Sequence, residues 1–140
     1  MLEFSQPDSV RFLRYFYSAV LVIVVLLALG GEFLPPARAA APAVLVYVLY
    51  AVGAGDVLAA VVLRRKFSGR AQEVLRVNPG DAGALADWMK GQMVPLPMAL
   101  GVGVMGFACR ALGSPALRAA PLYGAAVILL VVLRPADLPF

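Results

Sequence analysis

The chain has 140 residues, of which 62% are hydrophobic and 14% are charged. Soluble domains carry about 25% charged residues, so this composition argues against a soluble enzyme, a disordered protein and a disulfide-rich secreted module. With no histidine and one cysteine, Cys109, the chain alone offers no ligand set for a zinc ion, a b-type haem or an iron–sulfur cluster. We therefore expect an integral membrane protein with no cofactor and no metal site.

Four continuous apolar runs occupy residues 12–29, 42–63, 93–111 and 119–134. A bilayer-spanning helix needs about 20 residues, and only helices and closed barrels satisfy their backbone groups in hydrocarbon. Because the runs do not alternate with polar residues, we predict an all-α fold: one membrane domain over residues 1–140, built as a four-helix transmembrane bundle. The fourth run is short for a span.

The distribution of basic residues predicts the topology. Nine of the 12 Lys and Arg residues lie before or near the start of the first run, between the second and the third, or at the end of the fourth, and only Arg38, Arg110 and Arg118 fall on the other side. The positive-inside rule then places both termini and the segment 64–92 in the cytoplasm of a multi-pass protein of the bacterial inner membrane. The net charge of +4 is thereby explained without a nucleic-acid partner.

Aromatic residues agree with this topology, because Tyr and Trp concentrate at membrane interfaces. The inner interface is predicted at Tyr15, Phe16, Tyr17 and Trp88, and the outer interface at Phe33, Tyr47 and Tyr123.

The N-terminus allows two interpretations. Arg11 and Arg14, an apolar stretch and then Ala37-Arg38-Ala39 match a signal peptide with an A-x-A cleavage site. The stretch is longer than a typical signal-peptide core, and we favour an uncleaved helix.

The small residues of two runs follow helical spacing. Residues 101–106 match G-x-G-x-x-G, but no strand precedes them, so a dinucleotide site is not expected. Small residues let membrane helices approach closely. The two faces that we predict to pack, against each other or against a partner chain, are Ala99, Gly103 and Gly106 on the third run and Ala51, Gly55 and Ala59 on the second.

Asp56 is the one acidic residue deep within a span. It precedes Arg64 by about 12 Å of helix, and a carboxylate at such a depth faces a bundle interior or a cavity. Ser18 and Tyr17 on the first run lie at a similar depth, and Arg14 is one turn nearer the cytoplasm. These four residues form a candidate polar site. It either binds protons or cations or, as we favour, locks the bundle through an Asp56–Arg14 pair.

The polar segment 64–92 predicts two short helices. Ser68 is a candidate N-cap for a helix ending at Leu75, with a plain loop as the alternative. Asn78-Pro79-Gly80 predicts a turn, after which Asp81 is expected to cap a second helix lying at the membrane interface. Leu85, Trp88 and Met89 share one side of that helix.

An internal repeat is a further hypothesis. Ala28-Leu29-Gly30 and the later Arg38 have counterparts in Ala111-Leu112-Gly113 and Arg118, each followed by an apolar helix. A true duplication would give two tandem helical hairpins related by an axis near the membrane normal. The alternative is chance similarity between alanine-rich segments.

The stretch from Ala99 to Pro135 resembles a group of small four-helix bacterial inner-membrane proteins, some loosely labelled ATP synthase subunit c-like. The resemblance rests on a small-residue helix ending in Gly106-Phe107, then residues 111–114, then a last helix closing in residues 133–135. It implies a fold rather than an activity. That group often has a glutamate where this chain has Leu100, and Asp56 is the only analogue of a proteolipid carboxylate.

We predict a non-catalytic accessory or assembly subunit of a larger membrane complex, with no catalytic residues. Its expected partners are the lipid bilayer and other membrane-protein subunits or further copies of itself. The alternative is a proteolipid-like or small transport protein that uses Asp56.

Overall fold

The computed structural model describes residues 6–35 and 42–135, and within them the chain is helical with no strand. The helices are α1 (Gln6–Glu32), α2 (Ala43–Val77), α3 (Ala82–Met93), α4 (Pro95–Ala111) and α5 (Ala116–Val132). Because α3 and α4 are two parts of one helical run, the predicted all-α, four-helix architecture is confirmed. The cleavage-site motif at 37–39 lies outside the described residues.

Three helical runs are long and apolar enough to cross a membrane: Asp8–Glu32, Ala43–Val77 and Ala82–Ala111. The fourth, Ala116–Val132, is apolar but has only 17 residues. At 1.5 Å per residue it measures about 25 Å, less than the roughly 30 Å of a hydrocarbon core.

The break between α3 and α4 falls at Val94, although that residue keeps helical angles of φ −61° and ψ −37°. Proline lacks an N–H group, so Pro95 and Pro97 cannot donate to the carbonyls of Gly91 and Met93. The backbone ladder is therefore interrupted there while the chain continues in helical form into α4.

The second helix is longer than the sequence suggested. It runs without a break to Val77, so Ser68 is an interior residue of α2 and neither a separate short helix nor a plain loop follows Arg64. A buried stripe at Ser68, Ala71 and Leu75 explains this continuation. Its spacing of three and four residues is that of one helix face, and α2 packs extensively against α3.

The turn between α2 and α3 confirms the sequence prediction. The Asp81 backbone N–H donates to the Asn78 carbonyl at 3.2 Å, and the Asp81 side chain accepts a hydrogen bond from the Ala84 N–H at 2.9 Å. Trp88 was expected at the inner membrane interface, but it is completely buried. The burial accompanies the packing of α3 against α2.

The fourth helix is the centre of the bundle. It contacts every other helix, whereas α1 and α2 both pack against α4 and, within the described ranges, not against each other. This arrangement determines which of the predicted polar residues can meet.

Candidate functional site

The small residues of α4 lie inside the bundle. Ala99 is completely buried, and a Cβ at Gly103 would lie 3.3 Å from Val24 Cγ2 of α1. At Gly106 a Cβ would lie 2.9 Å from Tyr123 Cε1 of α5. The absence of a side chain at these two glycines therefore allows α1 and α5 to approach α4 closely.

The small residues of α2 have a different environment. Ala51 and Gly55 are exposed and Ala59 is half-buried. In the described part of the chain, no neighbouring helix comes within 4 Å of a Cβ at Gly55. The inner face of α2 is formed instead by Val46, Gly53 and Ala60, which are buried. Sequence reasoning missed Gly53, where a Cβ would lie 2.9 Å from Leu122 Cδ2.

Asp56 belongs to this inner face, three residues after Gly53. Its side chain is partly buried, and its Oδ2 would lie 2.9 Å from a Cβ at Gly101 of α4. A glycine at 101 therefore makes room for the carboxylate between α2 and α4. The available signal was the first glycine of the G-x-G-x-x-G motif, which the sequence alone does not connect with Asp56.

Within the described residues, the structure does not bring Asp56 together with the three polar residues of α1, because no Cα atom of α1 lies within 8 Å of a Cα atom of α2. The Ser18 hydroxyl donates to the Arg14 carbonyl of its own helix at 2.9 Å. The Tyr17 hydroxyl donates to the Leu130 carbonyl of α5 at 3.0 Å. Among the described residues, Asp56 forms neither an ion pair with Arg14 nor a hydrogen bond with Tyr17 or Ser18.

The C-terminal end of α5 is capped by side chains from two other helices. Beside the Tyr17 bond to Leu130, the Arg64 guanidinium donates to the carbonyls of Val132 and Arg134, the latter at 3.0 Å. Backbone N–H groups beyond the helix satisfy the other two of its last four carbonyls. A helix end leaves four carbonyls without intrahelical partners, so this short helix ends with all four satisfied.

The opposite end of the bundle carries an ion pair that sequence reasoning also missed. Arg110 of α4 lies 3.4 Å from Glu32 of α1, measured from Nε to Oε1, and its Nη1 donates to the Ser114 carbonyl at 2.8 Å. Tyr123 donates to the Leu27 carbonyl nearby at 3.3 Å. Glu32 ends α1 and Arg110 is in the last turn of α4, so their equal depth was the available signal.

The turn after α4 has the geometry of a Schellman motif. The Ser114 N–H donates to the Cys109 carbonyl and the Gly113 N–H to the Arg110 carbonyl, both at 3.0 Å. Gly113 has φ 82°, a left-handed conformation that glycine adopts without a Cβ clash. This tight reversal positions α5 against α4.

The two members of the proposed repeat have different environments. Tyr47 is 72% exposed, whereas Tyr123 packs against Gly106 inside the bundle. Sequence similarity between the two segments is therefore not accompanied by equivalent side-chain contacts.

The junction of α2 and α3 is held by a buried polar contact. Gln92 Nε2 donates to Ser68 Oγ at 3.2 Å, and a Cβ at Gly91 would lie 2.8 Å from the backbone nitrogen of Ser68. Glycine at 91 is thus required for the close approach of the two helices.

The described residues contain no group of three or more His, Cys, Asp or Glu side chains placed to hold a metal ion. No protein-family model matches the chain. No significant match was found among curated proteins or among solved structures.

Proposed function

We propose that this chain is a non-catalytic integral membrane protein that acts as an accessory or assembly subunit of a larger membrane complex. The observation that carries the proposal is the open small-residue face of α2, formed by Ala51, Gly55 and Ala59. Small residues on a membrane helix favour close packing with another helix. Within the described residues, the bundle leaves this face without such a neighbour at Gly55.

The outward faces of α1 and α2 support this assignment by their difference. The exposed positions of α1 include Val22, Ile23 and Leu26, whose bulky side chains suit contact with lipid tails. The outward side of α2 also exposes bulky side chains, such as Val52 and Leu58, but interleaves them with the small residues Ala51 and Gly55. We assign its occupant as a transmembrane helix of another protein.

The placement in the membrane that we propose follows from the length of α2. Its 35 residues measure about 52 Å, well beyond a hydrocarbon core of about 30 Å. The part from Arg64 onward, with α3 packed on it, therefore projects from the membrane. Together with the excess of basic residues on this side, it supports cytoplasmic termini in a bacterial inner membrane.

This topology is testable by cysteine labelling, because the native Cys109 is buried. In Gly80→Cys, the exposed new thiol should react with a membrane-impermeant maleimide only after the cytoplasmic face is opened. Labelling of intact cells from the periplasm would contradict the topology.

The subunit proposal is tested by purification from the native membrane in mild detergent. Gly55→Leu should remove the partner helix by steric exclusion, whereas Gly124→Leu is the matched control. Gly124 is also exposed, and a Cβ there meets no described residue within 4 Å. Retention of the same stoichiometric partners by Gly55→Leu would contradict the proposal, and recovery of only a homo-oligomer would reassign the face to self-association.

A second candidate function is proton or cation transport through Asp56. The observation that favours it is the position of this partly buried carboxylate between α2 and α4, without the α1 partner we expected. Asp56→Asn should then keep the fold and abolish ion flux in proteoliposomes. Equal flux in both proteins would eliminate this candidate.

A further inference from the structure

We propose that the groove between α2 and the C-terminal end of α5 binds the phosphate of an anionic phospholipid. The groove has a volume of about 330 Å³. It presents two guanidinium groups, a hydroxyl and a carboxamide, from Arg64, Arg65, Ser68 and Gln72. Ser68 follows Arg64 by four residues and Arg65 by three, and Gln72 follows Ser68 by four, so both arginines neighbour the Ser68–Gln72 side of α2.

Arg64 is held in place by the α5 carbonyls. It uses one N–H from each terminal nitrogen for Val132 and Arg134, and a guanidinium has five N–H donors in a planar fork. Three donors therefore remain for an anion at a fixed position. The neighbouring Arg65 is exposed and forms no hydrogen bond or ion pair with any described residue.

The charge of the groove distinguishes it from a second groove on the same helix. Between α2 and α3, a groove of about 400 Å³ is lined by Lys66 and Arg70 but also by Asp81 and Asp87. Those carboxylates offset the cations. Among the described residues, no carboxylate lines the groove beside α5. The positive charge of these residues is therefore not offset within the groove, and guanidinium groups bind phosphate through paired hydrogen bonds.

The shape of the groove favours a lipid over free phosphate. Its remaining walls include Val61 and Val132, and Val132 is 58% exposed. The guanidinium end would hold the headgroup while an acyl chain lies along the valines. Basic pockets between helices at the cytoplasmic boundary are suited to anionic lipid headgroups. This inference rests on the proposed membrane placement, which sets Arg64 and Val132 at that boundary.

The test is lipid binding by the full chain in neutral detergent, measured by native mass spectrometry. Phosphatidylglycerol is compared with phosphatidylcholine of the same acyl chains, and soluble glycerol phosphate is the competitor. We expect clear preference for phosphatidylglycerol. Arg65→Gln should weaken its binding about fivefold, the effect of about 1 kcal/mol per basic residue near an anionic surface.

Two further variants keep this test specific. Arg76→Gln removes the same charge from an exposed position of α2 outside the groove. The lipid affinity of this variant should stay within about twofold of the parent, because charge interactions fall off with distance and screening. Gln72→Leu removes a donor without changing charge and should weaken binding by a smaller factor than Arg65→Gln.

Three results would overturn the assignment: equal binding of the two lipids, equal loss in Arg76→Gln and Arg65→Gln, or displacement by glycerol phosphate at the concentration of the lipid itself. Displacement by glycerol phosphate would indicate that the groove binds a soluble phosphate compound and not a lipid. None of these results bears on the open small-residue face of α2, which is tested separately by partner retention in Gly55→Leu.

Discussion

Two small-residue faces with similar spacing have opposite environments in this bundle. On α4, Gly103 and Gly106 are buried against Val24 and Tyr123. On α2, Ala51 and Gly55 are exposed, and a Cβ at Gly55 meets no neighbouring helix within 4 Å. Small residues thus allow close helix packing within the chain on α4 and, as we propose, between chains on α2.

The reason for the difference is the central position of α4. It has neighbours on several sides, so the small residues of its packing face, Ala99, Gly103 and Gly106, are buried. The second helix contacts the bundle through a different stripe, in which Gly53 and Asp56 face α5 and α4. Its other small residues are therefore left over from internal packing, which is the property expected of a docking face for a separate helix.

The largest effect on the free energy of unfolding is expected from a substitution that overpacks the buried small-residue face of α4. Gly106→Leu places a side chain where a Cβ alone would lie 2.9 Å from Tyr123, and overpacking a core costs about 3 kcal/mol at the upper end of its usual range. We expect a corresponding loss in the free energy of unfolding, measured by denaturant titration in micelles. Gly124→Leu, with open space around it, should be as stable as the parent or slightly more stable, since leucine is the better helix former. Similar losses in both variants would contradict the packing account.

A smaller effect is expected where α2 caps α5. Arg64→Gln removes the bonds to two carbonyls, and hydrogen bonds to charged groups contribute about 1.5–3 kcal/mol. The free energy of unfolding should fall by about 2 kcal/mol at this level, and hydrogen exchange in the last turn of α5 should accelerate. Arg76→Gln provides the charge-matched control; if it destabilises the protein equally, charge rather than capping is responsible.

A double-mutant cycle at Asp56 and Gly101 tests the packing of the inner face of α2 against α4. Gly101→Ala should cost about 1 kcal/mol, the lower end for overpacking, because its Cβ would contact the carboxylate. In an Asp56→Ala background the same change should be neutral or stabilising, since alanine is the better helix former. An equal cost in both backgrounds would show that Asp56 does not occupy the space beside Gly101.

Much of the fold could be predicted from the sequence because apolar runs and turn residues act locally. The turn at Asn78–Gly80 and the cap at Asp81 depend only on neighbouring backbone. The extension of α2 to Val77 was also encoded, in the buried stripe of Ser68, Ala71 and Leu75. Its polar outer side concealed this periodicity, so a loop or a short helix was expected instead.

The candidate polar site was less predictable because it depends on which helices are neighbours. Depth along the helices predicted that Asp56 lies near Tyr17. The rotation of each helix about its axis and the identity of its neighbours instead place Asp56 beside Gly101 and Tyr17 at the end of α5. A single sequence gives depth and periodicity, and it does not give the order of helices around a bundle. For the same reason Gly53 and Gly55, two residues apart, could not be ranked as packing positions.

The central claim, that the open face of α2 receives a helix of another membrane protein, is tested most directly by site-specific photo-cross-linking in the native membrane. A photoreactive amino acid is introduced at position 55 and, as control, at position 124, where surroundings are equally open. We predict a discrete cross-linked protein product from position 55 alone, identified as a different membrane protein by mass spectrometry. Cross-linking to lipid only, or the same products from both positions, would contradict the claim.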